Sequence, residues 1–153
     1  MPSRPSDSTH RWAEGAYVVT DDRAAVDLDV VQSFLADDSY WAAGRTRAEQ
    51  ATANELSTCF SVLHAPEGEF VGFARVLTDD VSFGWVADVF VLEPHRGRGV
   101  GVFLMRCVVE SYQHLPRLVL GTRDAHGVYE KVGFGPIGRV ERWMERWNRP
   151  PNP

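Results

Sequence analysis

Residues 87 to 101 read Ala-Asp-Val-Phe-Val-Leu-Glu-Pro-His-Arg-Gly-Arg-Gly-Val-Gly, and a long apolar helical pattern follows at once. An apolar strand has to pass through a loop almost bare of side chains and turn straight into a helix. Glycines at 97, 99 and 101 let the main chain curl until several N–H groups face one spot. The helix that begins there adds the positive end of its dipole. Such a corner suits a phosphate-bearing ligand. With Leu118 to Thr122 as a returning strand, the unit becomes a right-handed parallel crossover, which commits the chain to a mixed sheet with helices against it.

The spacing narrows the reading. Position 102 is Val, so no glycine closes the G-x-G-x-x-G register of a dinucleotide site. A G-x-x-x-x-G-K-[ST] loop is also missing, because Lys131 is the one lysine in the chain. What remains is Arg96-x-x-Gly99-x-Gly101 between strand and helix. It resembles the acyl-CoA pyrophosphate loop of the GNAT acetyltransferase superfamily. A second stretch, Tyr129-Glu130-Lys131-Val132-Gly133-Phe134, resembles that superfamily's strand-to-short-helix ending at the usual distance after the first motif. The resemblance extends from about residue 69 to 138 and is looser outside. It implies a small single-domain bacterial member with acetyl-CoA as co-substrate, acting in the cytoplasm.

The rest of the chain accords with that fold. Ala16–Thr20 has the pattern of a first strand, and Leu28, Val31, Phe34 and Leu35 mark one face of a helix over 25–36. Thr46, with Glu49 three residues on, predicts a capping box for a helix over 47–56. Residues 59–65, a Pro66-Glu67-Gly68 turn and residues 69–77 predict a hairpin, and residues 82–92 a third strand of the same meander. A helix over 99–113, the strand 118–122 and a short helix over 124–132 follow. Residues 134–137 and 140–146 are expected as closing strands. The sum is an α/β (α+β) fold with a mixed sheet of six to seven strands and about four helices. One domain over 13–147 is expected, after a flexible lead-in over 1–12 and before a Pro-rich tail over 148–153.

By this resemblance, the main chain of Arg96, Gly97, Arg98, Gly99, Val100 and Gly101 would cradle the diphosphate, with the two arginine side chains adding charge-assisted bonds. Phe90 and Val91 would lend backbone groups to the pantetheine arm and the thioester carbonyl. Ala125 keeps the family pattern Asn-x-x-Ala-x-x-x-Tyr, but Thr122 replaces its asparagine and reaches the pantetheine amide with a shorter side chain. Tyr129 would face the sulfur and protonate the leaving thiolate, since a phenol near ~10 is neutral at pH 7. The base is less defined. Some relatives carry a glutamate at the position of Ala87. Asp88 is an ionisable group in an apolar strand, where aspartate is disfavoured. Simple alternation puts it on the face opposite Ala87. It is either the base or a structural anchor, and a water chain can serve instead. His126 is either a proton carrier or a solvated surface residue.

The acceptor segment would be Asp37-Asp38-Ser39-Tyr40-Trp41-Ala42-Ala43-Gly44-Arg45. Tyr40 and Trp41 either wall a pocket or cap the core, and Arg45 or Arg75 would suit a substrate carboxylate. The implied reaction is transfer from acyl-CoA, taken as acetyl-CoA, to a primary amine of a small molecule by direct attack. The alternative is a non-catalytic acyl-CoA sensor or regulatory module. Net charge of −5 argues against non-specific nucleic-acid binding. No apolar run nears the ~20 residues of a bilayer span. Cys59 and Cys107 read as buried thiols. The five histidines are scattered and no metal-ligand spacing occurs, so no metal is expected. Trp143, Met144 and Trp147 serve a homodimer contact, the acceptor site or the interior.

Overall fold

The computed structural model describes residues 8–152. The chain supplies six strands: β1 (Arg11–Glu14), β2 (Tyr17–Thr20), β3 (Thr58–His64), β4 (Glu69–Thr78), β5 (Gly84–Val91) and β6 (Leu118–Val119). They form one sheet in sequence order; β1 to β5 pair antiparallel and β6 lies parallel to β5. Four helices flank it: α1 (Leu28–Asp37), α2 (Arg47–Glu55), α3 (Val100–Ser111) and α4 (His126–Glu130).

Periodicity decides which residues meet. Val31, Phe34 and Leu35 of α1 pack with Phe70 and Phe73 of β4 and Phe90 of β5 on one face of the sheet. Phe34 and Phe90 stack with ring centres 4.1 Å apart. On the other face, Val100, Phe103, Leu104, Met105, Cys107 and Val108 of α3 pack on Val62, Val71, Ala74, Val76 and Val86, and Tyr129 of α4 joins them. Asp27 caps α1 through Val30 N–H at 3.1 Å. Thr46 and Glu49 form the reciprocal box at the start of α2. Both cysteines are buried, and neither forms a disulfide among the described residues. Among the described residues no helix is long and apolar enough to cross a membrane.

Three expectations need correction. Residues 134–137 and 140–146 form no strands; the first is irregular chain with a bend at Pro136, and Val140–Arg142 is a 3-10 turn entered through Arg139 at φ 54°. Gly133, Gly135 and Gly138 weaken pairing there, and Pro136 has no N–H to give a ladder. The single strand expected over 16–20 is the second arm of a hairpin whose first arm is β1. Arg11–Glu14 has too little apolar alternation to announce itself, yet Trp12 packs against the α3 side of the core. Of the lead-in over 1–12, residues 1–7 lie outside the described residues, and Arg11 and Trp12 belong to β1.

The third correction concerns Asp88. The β4–β5 register slips between Phe73, which faces Phe90, and Arg75, which faces Ala87. β5 therefore carries one extra residue, a bulge, and Asp88 sits in it at φ 53°. The bulge resets the alternation. Asp88 comes to the same face as Ala87 and its partner Arg75, toward α1 and α2, instead of the opposite one.

Candidate functional site

β5 delivers the chain to the glycine corner through a 3-10 turn over Glu93–His95. Gly97 and Gly99 take φ of 74° and 78°, a left-handed region costly for any residue with a Cβ. A Cβ on either would meet nothing within 4 Å, so the corner is open to solvent and not plugged from within. Gly99 is also the N-cap of α3 and supplies no side-chain acceptor. The first-turn N–H groups of α3 thus point outward without a capping side chain, a ready anion cradle. Gly101 lies inside the first turn, facing Val128 of α4.

The two arginines flanking Gly97 have partners within the fold. Arg96 donates from Nε to the Val91 carbonyl at 2.8 Å. Arg98 reaches the Tyr17 hydroxyl at 3.4 Å. Both are exposed at the rim of the corner. Val91 O, one of the main-chain groups expected to meet a ligand, is therefore already bonded to Arg96.

Beside the corner the sheet splits. β6 pairs with β5 only at Gly84–Leu118 and Trp85–Val119. Beyond that, the two strands part, and the later half of β5 has no partner on this edge. A cleft of about 840 Å³ opens alongside β6, walled by Leu118 to Thr122, His126, Tyr129, Phe134 and Trp143 among others. The glycine corner is not part of its wall; α4 stands between the two, with Val128 toward Gly101 and Tyr129 toward the cleft.

Tyr129 is 8% exposed. Burial, helped by the nearby Tyr40 and Asp124, pushes its phenol up to about 12. The phenol is therefore protonated throughout the physiological range. Among the described residues its hydroxyl takes no hydrogen-bond partner. Thr122 Oγ1 accepts from Ala125 N–H at 3.1 Å, which fixes the entry to α4. His126 is exposed.

Across the split lies the acceptor segment. The Tyr40 hydroxyl accepts from Arg123 N–H at 2.8 Å, and the Arg123 guanidinium lies 3.9 Å from the Tyr40 ring centre. This strap ties the α1–α2 loop to the loop after β6. Trp41 is at once anchored and open: its ring is 36% exposed while Nε1 donates to Asp88 Oδ1 at 3.0 Å.

Asp88 is the hub of this side. Its Oδ2 receives Arg75 Nε at 2.6 Å, Arg45 Nη1 at 2.7 Å and Gln50 Nε2 at 3.3 Å. The carboxylate side chain is 1% exposed. Burial alone would raise its pKa, but the charge and hydrogen bond of Arg75, then Arg45 and Gln50, outweigh burial and hold it below the ordinary value. Of the two roles open to Asp88, this geometry is that of an anchor, with no face turned to an incoming amine. Arg45 and Arg75, expected to suit a substrate carboxylate, are engaged by a carboxylate of the protein itself. The aspartate in an apolar strand was the visible signal of this hub. The bulge that turns it toward the arginines left no mark in the sequence.

The C-terminal aromatics divide. Trp143 lies under the Arg117 guanidinium, 4.7 Å from ring centre to charge, and lines the cleft. Met144 and Trp147 are 96% and 60% exposed. Two of the five histidines meet in space: His64 and His95 converge with Glu69, a grouping that spacing along the chain does not reveal.

Comparison with known proteins bears on this architecture. A family model described as "Acetyltransferase (GNAT) family" matches residues 9–134. A Gibberella zeae protein, described as a "putative acetyltransferase", is 31% identical over 140 aligned residues, covering 78% of this chain and 79% of its own. A crystal structure from Xanthomonas campestris, described as a "putative acetyltransferase belonging to the gnat family", is 36% identical and superposes with a TM-score of 0.81 over 88% of this chain and 95% of that one. A further acetyltransferase-described structure, from Deinococcus radiodurans, shares the fold at 19% identity, with a TM-score of 0.67 over 86% of this chain and 89% of that one.

Proposed function

The chain belongs to the GNAT acetyltransferase family, and we propose that it carries the acetyl group of acetyl-CoA to a primary amine of a small molecule by direct attack. The observation that carries the reading is the unfilled corner formed by Gly97 and Gly99 at the uncapped start of α3. Main-chain N–H groups of residues 97 to 101 hold the diphosphate there, and Arg98 stands at the rim as an added cation. The co-substrate brings an activated thioester whose carbonyl is open to an amine.

The chain's own groups do the rest. Phe90 and Val91 sit where β5 has lost its neighbour, so this edge, apart from the Val91 carbonyl, is open to the pantetheine arm. Arg96 braces this edge through Val91 O. The Thr122 hydroxyl accepts from Ala125, which leaves its own proton to donate to an amide carbonyl. Tyr129 holds a proton at its hydroxyl. With its phenol near 12 and a reference thiol near ~8.5, full transfer to the sulfur is uphill from the ground state. Tyr129 therefore donates a hydrogen bond as charge builds on the sulfur, and completes the transfer as it regains the proton that the amine releases. Water carries that amine proton, because Asp88 is held between two arginines. Tyr40 and Trp41 wall the acceptor side.

The test is thioester loss from acetyl-CoA against a panel of small amines. Turnover with at least one amine, cut by about 10²-fold or more in Tyr129→Phe with acetyl-CoA affinity retained, is the expected result. Tight binding with no turnover toward any amine overturns the enzymatic reading in favour of a sensor.

A further inference from the structure

We propose that His64, Glu69 and His95 form a binding site for a zinc-class divalent cation at the base of the glycine corner. His64 ends β3 and Glu69 begins β4, and the two residues face each other across the hairpin register. His95 closes the 3-10 turn that leads into Arg96 and Gly97. One ring nitrogen from each histidine and one Glu69 oxygen lie within 4.8 Å of one another. His95 Nε2 is 3.6 Å from Glu69 Oε2, and the two imidazole centres are 4.8 Å apart. Metal bonds of about 2.0–2.1 Å place tetrahedral ligand atoms roughly 3.3 Å from each other. The three groups therefore stand slightly open around a common point. The side chain able to close on it is Glu69, which is 60% exposed, while that of His95 is 10% exposed and held.

The outer partner of His95 supports the same assignment. Tyr17 Oη lies 2.9 Å from His95 Nδ1. With Nε2 on a cation, Nδ1 keeps its proton and donates it to Tyr17, the orienting contact typical of a ligating histidine. The Tyr17 ring also lies against His64, 4.9 Å between centres. Two imidazoles and one carboxylate suit zinc and its late first-row neighbours, not calcium or magnesium. Solvent completes the fourth position beside exposed Glu69. The cation ties the β3–β4 hairpin to the turn that feeds the glycine corner. The site does not depend on the acetyl-transfer reading.

Cobalt(II) is the probe, titrated into the chelator-treated full chain and followed by the visible bands of four-coordinate cobalt. The expected result is saturation at one equivalent, displacement by zinc, and affinity at least a hundredfold weaker in both His64→Ala and Glu69→Gln. Glu69 is a surface side chain, so its variant tests the site without disturbing the fold. Failure of the wild-type chain to bind cobalt at millimolar concentration, or wild-type affinity in either variant, overturns the proposal.

Discussion

Replacing Asp88 by Asn isolates the charge at the hub. Asn keeps the shape of the side chain and tolerates the left-handed φ of 53° that the bulge imposes. What changes is that Arg75 and Arg45, 13% and 24% exposed, lose the carboxylate between them. Removing one partner of a buried pair costs about 3–5 kcal/mol. Water reaches Arg45, so the lower end applies, about 3 kcal/mol, or roughly 6–12 °C in melting temperature for a chain of this size. The pH dependence has a definite sign. The Asp88 pKa is lowered in the fold, so its contribution is fully present above the unfolded value near ~3.9 and is lost as pH falls through the lower folded value. Urea denaturation of wild type and Asp88→Asn should give a gap that is constant from about pH 5 to 8 and closes below about pH 4. A gap under about 1 kcal/mol at pH 7 would refute the hub argument. So would abolished turnover at unchanged stability, which would make Asp88 the base.

Three further outcomes follow from the geometry. Because the Tyr129 phenol is pushed up to about 12, turnover should show no alkaline loss attributable to it below about pH 11; a pH–rate fall near 10 that disappears in Tyr129→Phe would contradict the assignment. Gly99→Val must hold a β-branched residue at φ 78°, which costs about 1–2 kcal/mol in chemical denaturation. The same variant places a side chain in the corner and should bind acetyl-CoA far more weakly; undiminished binding would mean that the corner is not the site. Burial pushes the Cys107 thiol up to about 12, so alkylation of Cys107 at pH 8 should be slow in the folded chain and fast in urea, and equal rates would contradict its burial.

The meander and the strand–glycine–helix unit were legible because each rests on local signals. Pro66 and Gly68 mark the turn between β3 and β4, and the apolar spacing of residues 100–108 marks α3. The capping residues Thr46 and Glu49 located α2 to within a residue. What stayed hidden depends on partners distant in sequence. β1 is a strand because Trp12 finds the core, not because Arg-Trp-Ala-Glu favours extension. The apolar residues of 134–146 suggested strands, but the intervening glycines and Pro136 prevent a ladder. Asp88 was conspicuous as a charge in an apolar strand, yet its direction depends on a bulge that alternation cannot foresee. Arg45, Arg75, Gln50 and Trp41 are 47 to 13 residues from Asp88 and meet it only through the sheet. The strap from Tyr40 to Arg123 spans 83 residues, and no local pattern announces it.

The central claim is that the glycine corner grips the diphosphate of coenzyme A. Calorimetric titration of acetyl-CoA and of S-acetylpantetheine, which carries the same thioester arm without the diphosphate, into wild type and Gly99→Val tests it directly. Loss of two charge-assisted hydrogen bonds of about 1.5–3 kcal/mol each predicts that wild type prefers acetyl-CoA by roughly a hundredfold or more. The preference should largely vanish in Gly99→Val. Equal affinity of the wild-type chain for the two ligands would contradict the account.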